Sequence, residues 1–310
     1  MRRVVKWMGI GFGSLAGLAV VAGGAVYGIS EWAIHKRYDA PLSSISVPTD
    51  PGAIARGARL ATVYGCNNSC HGENMQGLEM YDEPHIAKIN APNLSRVLRE
   101  YSNPQLERLI RHGVKRDGTS TWIMPAPMFS HLSDADLGDI IAFVRSAPMS
   151  DGPMREVTLR SLGRVGIVMG KFKPLATQVS PDVPRSATTD RSNPLVFGQY
   201  LVMSACTECH GPDLQGSDIV HAPSLAASAN YSNADFDRLM RSGVAIGGRL
   251  VGLMSEVGQT RFPALTDEEV VAVREYLRTQ FPPTPEARAR SIEQSKVAPV
   301  TSFADAAPAS

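Results

Sequence analysis

The sequence predicts an all-α protein, with two similar helical domains in tandem after an N-terminal transmembrane helix. A motif of two cysteines and a histidine occurs twice, and similar segments follow it in the same order each time. Apolar residues recur at helical spacing in both copies, whereas strand alternation of useful length is absent from the sequence. An uncharged apolar run lies near the N-terminus. The 310 residues suffice for two domains of ordinary size with additional segments.

The first predicted element is the apolar run, residues 8–30, which lacks charged side chains. Residues 8–29 would form a helix of about 33 Å, long enough to cross a bilayer. Basic residues precede the run, which favours a cytoplasmic N-terminus and export of the rest of the chain. A cleaved signal peptide is the alternative, because small residues at 22–25 offer a cleavage site. We therefore predict a cytoplasmic stub and anchor over residues 1–30 and a tether over residues 31–51.

The repeat is defined by two different offsets. CNNSCHGENMQG returns as CTECHGPDLQG, and the two histidines, His71 and His210, are 139 positions apart. Further along, YSNPQLERLIRHGV returns as YSNADFDRLMRSGV with an offset of 130. The first copy is therefore nine residues longer. The excess falls within residues 78–90, where we expect a surface excursion.

Both copies are predicted to contain corresponding helices. The segments GARLATVY and FGQYLVMS form the helix that delivers the first cysteine of each motif. A second helix ends at Gly113 or Gly243, a residue type suited to a C-terminal cap. The last helix opens at Ser133 or Thr266, each followed three residues later by an acidic residue in a capping-box pattern. Apolar residues at spacings of three and four indicate that this last helix is amphipathic.

The segments outside the repeat set the predicted domain boundaries. Residues 151–192 form a linker that contains Pro, Ser and Thr, with an apolar centre, GRVGIVMG, that can pack across the domains. Residues 283–310 are rich in Ala, Pro and Ser and lack periodicity, so we predict a flexible tail. The two domains accordingly occupy residues 52–150 and 193–282.

The second motif has the composition of a covalent haem site. Cys206 and Cys209 are three positions apart, so on one helical turn both thiols can each bond one vinyl-derived carbon of a porphyrin. His210 follows directly, which places an imidazole under the ring as the proximal iron ligand. All four cysteines of the chain lie in the two motifs. The motifs therefore leave no cysteine for another site.

The first motif has one additional residue between its cysteines. Cys66 and Cys70 are four positions apart, and such positions still share one helical face, displaced by about 40°. We predict a variant haem site with His71 as the iron ligand. A single thioether, or a disulfide without haem, is the alternative at this motif.

Three other interpretations of the two motifs are less consistent with the sequence. A dithiol redox centre requires a βαβ context that the sequence does not show. A zinc site requires four ligands within tetrahedral reach, whereas the two cysteine pairs lie in separate repeats. A structural disulfide explains neither the adjacent histidines nor the repeated methionines.

Each copy also offers a methionine as the sixth iron ligand. Met124 and Met254 share the offset of 130, and both precede the last helix of their domain. A methionine thioether raises the reduction potential relative to a nitrogen ligand. Met128 is an alternative to Met124 as the iron ligand, and Met240 is an alternative to Met254. The ordinary role of any one methionine is to fill space in a hydrophobic core.

The segments APNL and APSL follow the two motifs. We expect Pro92 and Pro223 to turn the chain along the haem edge. The backbone there is expected to donate a hydrogen bond to the other nitrogen of each proximal histidine.

At these residues the sequence resembles the class I cytochrome c fold in tandem. It is similar to membrane-anchored di-haem c-type cytochromes, including the cytochrome subunits of bacterial membrane-bound alcohol and aldehyde dehydrogenases. The likeness covers about residues 52–148 and 194–282, and LSDADL and LTDEEV resemble the openings of the family's last helix. CNNSCH departs from the usual pattern by one residue. The resemblance implies two covalently bound haem c groups, a periplasmic location and the transfer of single electrons.

We therefore expect a single-pass protein of the bacterial inner membrane, with periplasmic haem domains that carry electrons. Electrons would enter from a dehydrogenase or quinol oxidiser and leave toward a soluble cytochrome or terminal oxidase. Iron ligated on both faces has no position for a substrate, so the protein is predicted not to be an enzyme. The alternative is a di-haem oxidoreductase, similar to a peroxidase or thiosulfate dehydrogenase, with an open or displaceable ligand at Met124. The balance of 31 Lys and Arg against 30 Asp and Glu does not favour nucleic acid as a partner.

Overall fold

The structure is a computed structural model that describes residues 2–153, 157–218, 220–287, 289 and 293. Most of the predicted flexible tail, 283–310, lies outside the described residues. The helices are α1 (Arg2–His35), α2 (Pro51–Val63), α3 (Leu94–Val97), α4 (Asn103–His112), α5 (Ala126–Phe129), α6 (Asp134–Ser146), α7 (Ser161–Val168), α8 (Pro194–Ala205), α9 (Thr207–His210), α10 (Ala226–Ala229), α11 (Asn233–Ser242), α12 (Leu253–Thr260) and α13 (Asp267–Gln280). The strands are β1 (Leu78–Glu83), β2 (Ala87–Ala91), β3 (Thr158–Leu159), β4 (Val244–Ala245) and β5 (Arg249–Leu250). The predicted all-α class is confirmed, because short strands only supplement the helices.

Helix α1 contains the predicted apolar span. Among the described residues, it is the helix long and apolar enough to cross a membrane, and its apolar window is not buried against the protein. The helix continues through residues 31–35, which the sequence analysis assigned to the tether. The rest of the tether lies against domain 1, since Tyr38 N donates to Gly118 O at 2.8 Å.

The first and last helices of each domain cross at very short range. A Cβ added to Gly57 in α2 would lie 1.9 Å from Asp139 O in α6. A Cβ added to Gly198 in α8 would lie 2.1 Å from Ala272 O in α13. Only a residue without a side chain permits such an approach of two helices. The repeat in sequence is therefore a repeat of one helix crossing.

The predicted helix ends are present in both domains. Gly113 and Gly243 adopt left-handed backbone conformations, with φ of 64° and 70°, and end α4 and α11. The Ser133 side chain accepts a hydrogen bond from the third amide of α6. At Thr266 the capping box is complete, because the Glu269 side chain also accepts from the Thr266 amide.

The nine-residue excess of the first copy forms a β-hairpin, which the sequence analysis did not predict. Strands β1 and β2 pair antiparallel, with an irregularity of register between Glu79 and Tyr81, and β3 from the linker pairs with β2. Lys88 Nζ lies 2.9 Å from Glu79 and 3.0 Å from Asp82, which holds the two strands together by charge. The predicted surface excursion is therefore an ordered hairpin.

The apolar centre of the linker forms α7. The sequence analysis expected this segment to pack across the two domains, but it contacts the hairpin of domain 1 and the end of α1. Arg160 N donates to Ile86 O at 2.9 Å, and Leu162 N donates to His85 O at 2.8 Å. Part of the linker thus belongs structurally to the first domain.

The two domains share one hydrophobic core cluster and a polar seam. Arg59 of α2 makes two hydrogen bonds, of 2.7 and 3.0 Å, to the carboxylate of Glu269 in α13. The hydroxyls of Tyr64 and Ser204 are 3.1 Å apart. Each of these two residues lies two positions before the first cysteine of its motif. The helices that deliver the cysteines therefore meet at the interface between the domains.

Candidate haem-binding sites

The second motif lies on the helical turn that its spacing predicts. Cys206 ends α8, where its amide donates to Val202 O at 2.9 Å, and it begins the short helix α9. His210 N donates to Cys206 O at 3.0 Å. This closed turn places Cys206, Cys209 and His210 on one helical segment.

The first motif is not helical, which corrects the prediction that its cysteines share a helical face. Residues 64–71 form turns and bends after α2 ends. Asn68 adopts the left-handed region with φ of 57°, and its amide donates to Gly72 O at 3.1 Å. Asparagine tolerates this region better than most residues because its side chain bonds locally. The additional residue of CNNSCH is therefore absorbed by a turn within the motif.

A proline carbonyl holds the histidine of each motif. The distance from Nδ1 to the carbonyl oxygen is 3.0 Å for His71 and Pro92, and 2.7 Å for His210 and Pro223. The expected bond is present, but its direction is the reverse of the prediction, since the carbonyl accepts and the ring donates. Donation from Nδ1 leaves the lone pair on Nε2, the nitrogen that can bind a metal. Burial lowers the pKa of both imidazoles, and the hydrogen bond to the carbonyl raises it by a smaller amount. The net lowering of the pKa favours the neutral ring.

A glycine in each motif brings the proline segment against the histidine, and sequence analysis gave it no role. Gly77 N donates to His71 O and Gly216 N donates to His210 O, both at 2.9 Å. Both glycines have positive φ, and a Cβ on Gly216 would lie 2.5 Å from Ala222 O. The signal was present in the sequence as the repeated dipeptide QG. The close contact between this glycine and the segment before the proline explains why each copy has a glycine at this position.

The four cysteines are partly buried free thiols, and two of them, Cys66 and Cys206, pack against the hydrophobic cluster. Burial raises the pKa of Cys66 and Cys206 to about 12 and that of Cys209 to about 11, and it also raises the pKa of Cys70. Reactive dithiol centres have lowered pKa values, so these environments do not favour a thiolate redox centre. No cluster of three or more His, Cys, Asp or Glu suited to a metal ion occurs among the described residues. The zinc interpretation therefore has no support in the described part of the chain.

The candidate methionines lie at the edge of the core, and their competitors lie inside it. Met124 and Met254 are partly buried and pack against the hydrophobic cluster, as do Cys66 and Cys206. Met128 and Met240 are 2% and 4% exposed and belong to the cluster itself. This distribution agrees with a core role for the two competitors. The ligand roles of Met124 and Met254 remain predictions.

Arg261 lies between the two motifs, and nothing in the sequence pointed to it. Its Nε donates to Val63 O at 3.1 Å, its Nη1 is 3.8 Å from Glu208, and its side chain is 7% exposed. Its Nη2 is buried and has no hydrogen-bond partner among the described residues. The Cζ of Arg261 and the Sγ of Cys70 lie 3.2 and 3.3 Å from the position of a Cβ on Gly65. A guanidinium of the second domain is thus within about 7 Å of a cysteine of the first.

The residues of each motif fit a covalently attached haem. Each motif provides two free thiols and an imidazole with Nδ1 held by a carbonyl, beside the hydrophobic cluster. A c-type haem requires two such thiols for thioether bonds and one imidazole nitrogen for the iron. The apolar side chains beside Cys66 and Cys206 also suit contact with an apolar ring.

The sequence comparisons define the class of protein. The family model described as cytochrome c matches residues 54–148 and 196–281, which together make up more than half of the chain. The chain therefore belongs to the cytochrome c family and contains two such domains in tandem. Membership implies covalently bound haem c and a role in electron transport. Both Cys/His motifs and both candidate methionines lie within the matched residues.

A more specific similarity is to one subunit of an enzyme complex. The chain is 24% identical over 279 residues to the fructose dehydrogenase cytochrome subunit of Gluconobacter japonicus. The alignment covers 75% of this chain and 55% of that protein. The chain thus spans about half the length of the curated relative that it matches.

Proposed function

We propose that this protein is a membrane-tethered di-haem cytochrome c that carries single electrons in the periplasm. The observation that supports this proposal best is the pair of free-thiol and imidazole sets at the interface of two cytochrome c domains. The proposed domains occupy residues 52–150 and 193–282. The residues proposed to attach the two haems are Cys66, Cys70, Cys206 and Cys209, and those proposed to bind the irons are His71, Met124, His210 and Met254.

The protein's own residues fix and tune each site. When bound, haem c supplies an iron that accepts and releases one electron. The carbonyls of Pro92 and Pro223 orient the two imidazoles and increase their basicity as ligands. Thioether sulfur from Met124 and Met254 would close the second face of each iron and raise its potential. With both faces closed, a carrier rather than an enzyme is the expected outcome.

The proposed partners follow from the class of the relative. Its name describes the cytochrome subunit of a dehydrogenase. A dehydrogenase subunit, or a quinol oxidiser, is accordingly the proposed donor, and a soluble cytochrome or a terminal oxidase is the proposed acceptor. Helix α1 is proposed as a single-pass anchor in the bacterial inner membrane, because it is long, apolar and preceded by basic residues.

Haem stoichiometry tests the central part of the proposal. The full chain is expressed with a cytochrome c maturation system, and bound haem is counted by its pyridine haemochrome spectrum and by intact mass. We expect two haem increments in the parent protein. Cys70→Ala removes the second cysteine of CNNSCH. Cys209→Ala removes the corresponding cysteine of CTECH and is its matched control, because CTECH has the usual spacing. A single haem increment in the parent would contradict the di-haem proposal, and a colourless exported protein would contradict it entirely.

Spectroscopy separates the carrier from the alternative enzyme. A sulfur-to-iron charge-transfer band from both ferric haems is the result expected of a carrier. A high-spin haem that reacts with peroxide would instead support the di-haem oxidoreductase. Alkaline extraction of membranes tests the anchor, which should keep the parent protein in the pellet and release a variant whose residues 1–30 are replaced by a cleavable signal peptide.

A further inference from the structure

Helix α7 has an apolar side that the described residues cover only in part, since the Phe172 ring lies against Gly166 there. Leu162 and Met169 are seven positions apart, which places them on one side of the helical segment. Their side chains are 56% and 67% exposed, and Phe172, just after the helix, is 42% exposed. Three large apolar side chains of the linker are therefore substantially exposed within one short segment.

The opposite side of α7 is fixed to domain 1. A Cβ on Gly163 would lie 2.2 Å from Ile86 O in the turn of the hairpin. Ile167 is buried, with 8% of its surface exposed. Because Gly163 and Ile167 are packed against domain 1, the helix cannot rotate to bury the apolar residues on its opposite side. The exposed side is thus held outward by the packing itself.

Arg164 fastens α7 to the end of α1. Its Nη1 lies 2.7 Å from the Glu31 carboxylate and 2.9 Å from Ser30 Oγ. Its guanidinium carbon lies 4.5 Å from the centre of the Tyr27 ring. These partners stand where the uncharged run of α1 ends, which is where a membrane-crossing helix would reach the headgroups. If α1 crosses the membrane, α7 begins at the depth of the membrane surface.

The charge of this segment matches a lipid surface. Residues 157–173 contain four basic residues and no acidic residue. Arg160 and Arg164 are paired with Asp82 and Glu31, whereas Lys171 and Lys173 are exposed on either side of Phe172. Exposed apolar residues interleaved with lysines are typical of helices that lie in the headgroup region of membranes with anionic lipids.

We propose that α7 and the following residues through Lys173 lie in the headgroup region of the membrane that α1 crosses. Leu162, Met169 and Phe172 would enter the acyl boundary, and Lys171 and Lys173 would contact anionic headgroups. This second contact would fix the orientation of domain 1 over the membrane, since Arg164 and the hairpin hold α7 on both sides. The inference rests on the proposed anchoring by α1.

A nitroxide spin label at Met169→Cys tests the proposal in the full-length holoprotein. Haem attachment takes up the four native thiols, so the introduced cysteine is labelled alone, and labelling of the parent chain measures any residual thiol. The protein is reconstituted in vesicles of phosphatidylcholine with phosphatidylglycerol, and power saturation compares collisions with oxygen and with a water-soluble nickel chelate. An unchanged haem spectrum shows that the labelled variant is folded. We expect oxygen collisions to dominate at position 169.

Two further labels distinguish this inference from the proposed anchor. A label at Val20→Cys in α1 should report the bilayer interior, and one at Ala234→Cys, an exposed position of α11, should report water. If position 169 behaves like position 234 while position 20 is in the bilayer, the anchor stands and the inference about α7 is wrong. If position 20 is also in water, both are wrong. A label at 169 that is shielded from both reagents would mean that a protein surface covers α7, which also overturns the inference.

The lysines provide an independent check. Lys171→Gln with Lys173→Gln should shift the label at 169 toward water in vesicles with phosphatidylglycerol, and should leave it unchanged in phosphatidylcholine alone. An equal effect in both lipids would overturn the assignment of these lysines to anionic headgroups.

Discussion

Replacing Arg261 with methionine is expected to lower the reduction potentials of both proposed haems. Arg261 is buried between the two motifs, where its positive charge opposes the rise in pKa of all four cysteines. One guanidinium thus acts electrostatically on both attachment sites. A nearby positive charge favours the reduced state of an iron site, because reduction adds a negative charge. Methionine keeps most of the side-chain volume and removes the charge.

The expected shift follows from the position of the guanidinium. Its carbon lies within about 7 Å of the Cys70 sulfur. At a separation of about 10 Å and an effective dielectric constant of about 20, a unit charge contributes roughly 1.7 kcal/mol, or about 70 mV for one electron. Glu208, 3.8 Å from Nη1, offsets part of this effect. We therefore expect each potential to fall by roughly 30 to 70 mV.

Optical redox titration of the di-haem protein measures both potentials. Arg261→Lys should keep most of the charge effect and remain near the parent values. Arg274→Met is the matched control, because Arg274 is also a buried arginine of the second domain but pairs with the more exposed Glu275 and Asp237. Potentials that stay constant, rise, or change at only one haem in Arg261→Met would refute the idea of a shared charge.

Two further predictions concern the helix crossing and a proposed ligand. Gly198→Ala should lower the free energy of unfolding by about 1–3 kcal/mol in chemical denaturation, because its Cβ would lie 2.1 Å from Ala272 O. Gly52→Ala, whose Cβ would meet only side-chain atoms, Asp50 Oδ1 at 3.2 Å and Arg56 Nη1 at 3.6 Å, and no backbone, is the control, and equal losses would contradict the crossing argument. Met254→Leu should remove about half of the sulfur-to-iron charge-transfer band of the ferric di-haem protein and lower one potential. Met240→Leu should retain the band, since Met240 is 4% exposed in the core; the reverse pattern would assign the ligand to Met240.

The local features of this protein were predictable from its sequence. The caps at Gly113 and Gly243 and the helix starts at Ser133 and Thr266 depend on residues within one or two turns of each other. The helical turn of CTECH likewise depends on the spacing of neighbours. Repetition strengthened these predictions, since each copy independently indicates the same helices. The hairpin at 78–91 was missed because its ion pairs and its irregular register leave no regular alternation in the sequence.

The sequence by itself determined the number of domains, their helical class and the two Cys/His sets, because periodicity, caps and short spacings are encoded in adjacent residues. Only the tertiary structure decided how the domains face each other. Arg261 reaches Val63 across 198 positions of the chain, and no periodic signal spans such a separation. The outward face of α7 depends in the same way on packing against the distant turn of the hairpin. Such contacts are fixed by the shapes of folded surfaces, which form only after local elements have been built and packed.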